Sequence, residues 1–110
     1  MECRSLTGAA TLRPVSDPAF DPLIRQLREQ ISDNDRKLIG AINKRLELVA
    51  RLKAYKDSRG LEFVDTAREE LMLQDLQRAN RGPLTPDGLR GIYAEVLALT
   101  KSEVSQEEAT

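Results

Sequence analysis

Histidine and tryptophan are both absent from this 110-residue chain, and Cys3 is its only cysteine. Without histidine there is no Ser-His-Asp or Cys-His catalysis and no His-ligated zinc. A lone cysteine excludes an internal disulfide and every Cys-cluster metal site. Large aromatics are scarce, with two Phe and two Tyr, so a core has to be built from Leu, Ile, Val and Ala. No apolar run approaches the roughly 18–20 residues of a membrane span. The first twenty residues lack the apolar stretch of a signal peptide. These absences read as a soluble, cytoplasmic chain without membrane contact, and the length suits a single domain.

What is present is charge. Charged residues make up 32% of the chain and hydrophobic residues 40%, with a formal net charge of -1. The distribution is uneven. Leu23 to Lys56 holds nine Lys/Arg against four Asp/Glu, and the remainder holds eight against fourteen. A basic segment in an otherwise acidic chain suits an anionic partner held at one place and does not suit a protein coating nucleic acid. The alternative is an ordinary solvated helix face.

Residues 1–20 show no sustained period and include Gly8, Pro14 and Pro18, which predicts a flexible N-terminal tail. Asp21-Pro22 has the form of a helix start, with Asp as N-cap and Pro at the first helical position. A 3-4 spacing then runs through Ile24, Leu27, Ile31, Asn34, Leu38, Ala41, Arg45, Leu48, Leu52 and Tyr55. That stripe predicts a long helix ending near Ser58-Arg59-Gly60. Thr66-Ala67-Arg68-Glu69 has capping-box spacing and opens a second, short helix carrying Leu71, Met72 and Leu76. Thr85-Pro86 starts a third, of medium length, with Leu89, Ile92, Tyr93, Val96, Leu97, Thr100 and Val104 on one face. The folded domain is expected over 21–106, with 107–110 frayed. The fold class is all-α.

The long helix implies a second copy of the chain. Some 35 residues span about 50 Å, whereas a compact monomer of this length has a radius of gyration near 13 Å. A stripe that long is most simply buried in a two-fold dimer. A kink at Gly40, folding the helix back into a monomeric bundle, is the competing arrangement.

Several charged residues interrupt the apolar pattern. Arg45 stands on the stripe itself, and Lys56, eleven residues on, faces the same way about 16 Å along the axis. Two long cations so spaced can converge on a small anion, or they can be neutralised internally by Asp65 and Glu69 in a salt-bridge network. Arg28 is 17 residues before Arg45, about 25 Å along one helix, so it reaches the same small ligand only from a partner subunit.

The ordered set Arg28, Arg45, Lys56, Asp65, Arg68 and Glu69, at these spacings and without a gap, resembles the all-helical chorismate mutases. The similarity covers about Leu23 to Val104. It implies an intertwined homodimer of three-helix chains, with two sites each drawing on both chains and with no metal or organic cofactor. It implies the rearrangement of chorismate to prephenate, in aromatic amino-acid biosynthesis. Arg28 from one chain and Arg45 from the other would bind carboxylates, and Lys56 the ether oxygen and a carboxylate. Asp65, Arg68 and Glu69 would line the ring-hydroxyl side, with Glu69 accepting its proton in a hydrogen bond. Thr100 falls where the family usually has Ser. Val104 falls where it usually has Gln or Glu as a second donor to the ether oxygen. Shifting the third helix by two residues would offer Ser102 and Gln106 instead, but the apolar face of that helix favours Thr100 and Val104. Val104 also keeps in view a mutase for an amino analogue of chorismate and a pyruvate lyase acting on isochorismate. A non-enzymatic helical dimerisation module is the rival of another class.

Overall fold

The computed structural model describes residues 20–109, with side chains to Ser105. The expectation for residues 1–20 therefore lies, but for Phe20, outside the described residues. Three helices follow one another: α1 (Pro22–Ser58), α2 (Thr66–Ala79) and α3 (Pro86–Ala109). Among the described residues none is long and apolar enough to cross a membrane. The chain forms two compact units, divided within α1 between Ile42 and Asn43.

In the first unit the Asp21 carboxylate accepts the amide N–H groups of Leu23 at 2.9 Å and Ile24 at 3.3 Å. This satisfies two of the free donors at the helix start, and Pro22 has no N–H to satisfy. Among the described residues the apolar stripe of this segment is left open to solvent, with Ile31 59% and Leu38 55% exposed.

The second unit holds the C-terminal part of α1 together with α2 and α3. At the end of α1, Gly60 takes a φ of +70°, a conformation easily reached only without a Cβ. The chain there turns back so that the Leu61 amide bonds the Lys56 carbonyl at 2.8 Å and the Gly60 amide bonds that of Asp57 at 3.2 Å. These two bonds form a Schellman closure, which fixes where Lys56 leaves the helix.

The start of α2 differs by one residue from the capping-box reading. Asp65, not Thr66, is the N-cap, and its carboxylate accepts the Arg68 amide at 3.0 Å. An ionised acceptor is favoured at this position by the partial positive charge of the helix start. At α3 the Thr85 hydroxyl accepts the Gly88 amide at 3.0 Å, ahead of Pro86 at the first helical position. Regular helix then continues to Ala109, beyond Gln106, because neither glycine nor proline follows Gly91 to stop it.

α2 and α3 pack on each other. Leu73, Thr100 and Val104 are the only buried residues among those described. Leu73 was not among the expected core positions. Leu71, which was, is 58% exposed, since two residues place it about 200° around the helix from Leu73. Ile92 is likewise exposed, roughly 80° from the direction of Thr100 on α3. Leu89, Tyr93, Val96 and Leu97 are half-buried as that face requires.

Candidate functional site

The second unit encloses a cavity of about 520 Å³ between its three helices and the segment that joins α1 to α2. Four residues of α1 reach it: Arg45, Val49, Leu52 and Lys56. Their spacings of four, three and four residues keep all of them within about 40° of one direction. The helical period alone thus brings both cations to one wall, with two apolar side chains between them.

Arg45 is held from α3. Its Nη1 donates to the Thr100 hydroxyl at 2.6 Å, and that hydroxyl donates in turn to the Val96 carbonyl at 2.7 Å. The guanidinium also lies 6.0 Å from the centroid of the Tyr93 ring, within cation–π range. Thr100 is buried at 5% exposure, so its χ1 is fixed by packing as well as by both bonds. Lys56 extends toward the joining segment, where its Nζ donates a long bond of 3.4 Å to the Phe63 carbonyl.

The carboxylates that would neutralise these cations in a salt-bridge network are used elsewhere. Asp65 caps α2. Glu69 pairs with Lys101 of α3, Oε2 to Nζ at 3.3 Å. Among the described residues neither Arg45 nor Lys56 has a carboxylate within 4 Å. The unit therefore offers two cations whose polar contacts are neutral oxygens, set in a largely apolar wall. That arrangement suits a small anion, because a guanidinium keeps donors available for bidentate carboxylate binding after one is committed.

Arg68, Asp65 and Glu69 line the same cavity, as do Thr100 and Lys101. The structure thus brings together six of the residues singled out from sequence: Arg45, Lys56, Asp65, Arg68, Glu69 and Thr100. Arg28 belongs to the first unit, where it is exposed. Val104, one turn beyond Thr100, is buried at 5% and lies outside the cavity lining. Ser102 is exposed, and the Gln106 side chain lies outside the described residues. Among the described residues no group of three or more His, Cys, Asp or Glu is placed to hold a metal ion.

Two contributors were missed from sequence. The spacing on α3 marks Tyr93 only as a core position, and Lys101 falls beside the apolar face that the pattern picks out. The signal for Lys101 was present: it is the only basic residue after Arg90, and it directly follows Thr100.

No curated protein and no solved structure matches the chain. Residues 27–104 match the chorismate mutase type II family, a span that takes in Arg28, the whole cavity wall and Val104. A match over that much of 110 residues settles the relationship: the chain belongs to the chorismate mutase type II family.

Proposed function

We propose that the protein is a chorismate mutase, an isomerase that converts chorismate to prephenate by an intramolecular [3,3] rearrangement. The observation that carries this reading is the cavity itself, with Arg45 and Lys56 on one wall and no carboxylate of the described chain paired to either. The reaction is unimolecular, with one C–O bond breaking as one C–C bond forms. It transfers no proton to the protein and forms no covalent intermediate, so a chain without histidine is equal to it.

The task is to hold a flexible dianion in its compact, reactive shape and to stabilise the negative charge that grows on the ether oxygen. Arg45, anchored by Thr100 and Tyr93, suits a substrate carboxylate. Lys56 suits the ether oxygen as a compact charge projecting from a fixed helix end. Glu69 suits the ring hydroxyl as an acceptor, with Asp65 and Arg68 beside it.

The enzyme acts as a homodimer in this reading. The uncovered stripe of α1, with Ile31 and Leu38 more than half exposed, supports a second copy of the chain as its cover. Arg28 then comes from the partner as the second carboxylate binder. A valine at position 104, where an amide donor is usual, supports one further reading, a closely related substrate such as an amino analogue of chorismate or isochorismate. Following the loss of chorismate and the appearance of prephenate with purified protein tests the proposal. Turnover of isochorismate to pyruvate and salicylate, or of the amino analogue alone, would replace it. Absence of turnover with all three substrates would leave a helical dimerisation module.

A further inference from the structure

The Glu69–Lys101 pair stands at the edge of the cavity, with its two side chains 25% and 43% exposed. An ion pair so open to water contributes little to stability. Its position gives it another consequence. Thr100 and Lys101 are consecutive on α3, and they hold one residue from each of the other two helices, Arg45 of α1 and Glu69 of α2. The charge count of the cavity wall depends on Lys101 as well. Arg45, Lys56, Arg68 and Lys101 face Asp65 and Glu69, a formal balance of +2 from this chain. Without Lys101 that balance drops to +1, and the Glu69 carboxylate loses its nearest counter-charge.

We propose that Lys101 is a positioning residue of the site. It acts through Glu69, holding the carboxylate at the cavity edge and offsetting its charge so that the wall stays attractive to a small dicarboxylate. This inference rests on the mutase reading, and it deepens that reading by giving the site a residue that tunes substrate charge recognition. A carboxylate in the cavity is useful as a hydrogen-bond acceptor for a hydroxyl, yet it repels the carboxylates of the same ligand. A lysine paired to it on the same wall leaves the acceptor in place and reduces the repulsion.

The test is a kinetic double-mutant cycle with chorismate, using the full chain. Lys101→Met keeps the length and removes the charge. It is expected to raise KM about tenfold, the order set by one unit charge across a small, partly screened site, while the melting temperature hardly moves. Lys101→Arg is expected to recover most of that loss. Glu69→Gln is expected to lower kcat. In the combined Glu69→Gln/Lys101→Met variant the wall returns to +2, so KM is expected to fall back toward the wild-type value while kcat stays low. A residue with a merely structural role would not produce that reversal. An unchanged KM in Lys101→Met, with wild type active, overturns the inference and leaves the mutase reading standing. A KM that remains raised in the double variant also overturns it, since Lys101 would then touch the substrate directly. A wild-type protein that does not turn over chorismate overturns the mutase reading, and this inference with it.

Discussion

Thr100→Val removes one oxygen from the site and little else. Threonine and valine have nearly the same shape, so the helix and the packing around this buried position are preserved. Two bonds are lost, the one accepted from Arg45 Nη1 at 2.6 Å and the one donated to the Val96 carbonyl at 2.7 Å. The second loss is minor, because that carbonyl keeps its place in the helix ladder. The first is a bond to a charged donor, worth about 1.5–3 kcal/mol. Arg45 is half-exposed and can be rehydrated, so the low end applies. Burying a methyl group in place of the hydroxyl returns about 0.8 kcal/mol. Stability should therefore fall by no more than about 1 kcal/mol. Activity should fall further, because an Arg45 without its anchor has to be ordered by the substrate at each binding event. About 1.5 kcal/mol of lost orientation corresponds to a drop in kcat/KM of roughly tenfold. Thr100→Ser keeps both bonds and should stay within about twofold of wild type. The assay is steady-state chorismate consumption, paired with urea unfolding of each variant. A folded Thr100→Val protein with wild-type kcat/KM, or a Thr100→Ser protein equally impaired, would refute the anchoring argument.

Other variants probe the site and the dimer separately. Arg45→Ala should lower kcat/KM by about two to four orders of magnitude, since truncating one side of a charge pair that substrate binding has desolvated costs roughly 3–5 kcal/mol; near-normal activity with only a lower melting temperature would make Arg45 structural. Arg28→Ala and Arg45→Ala chains should each be inactive alone, yet regain about half of wild-type activity per dimer when co-refolded. No recovery in verified heterodimers would mean that both arginines act from one chain. Val104→Gln should raise kcat with little change in KM, while lowering stability by about 1–3 kcal/mol for an amide in a buried position; unchanged kcat in the folded variant counts against a missing ether-oxygen donor. Gly40→Ala should stabilise the protein by about 0.5–1 kcal/mol in urea unfolding, because the position is helical and an added Cβ would meet nothing within 4 Å. A destabilised Gly40→Ala protein would mean that something outside the single chain packs against that position.

The helix ends are legible in the sequence because the signals that make them are local. Asp21-Pro22, Thr85-Pro86 and Gly60 each act on backbone groups within a few residues of themselves, and each lies at a helix boundary in the structure. The common wall of Arg45 and Lys56 is legible for the same reason, since eleven residues make three helical turns wherever the helix goes. Resolving Asp65 from Thr66 as the cap of α2 took the backbone, because either side chain can serve and only the local dihedral angles choose. The longer-range contacts were not legible from spacing, although the family resemblance placed Arg45, Glu69 and Thr100 in one site. Lys101 reaches Glu69 across 32 residues, and Thr100 reaches Arg45 across 55. Leu73 in place of Leu71 in the core is a matter of which side of α2 meets α3. Spacing along one helix specifies a direction about that helix's own axis. The partner met in that direction is decided by the packing angle and rotation of another helix, which belong to the tertiary structure alone.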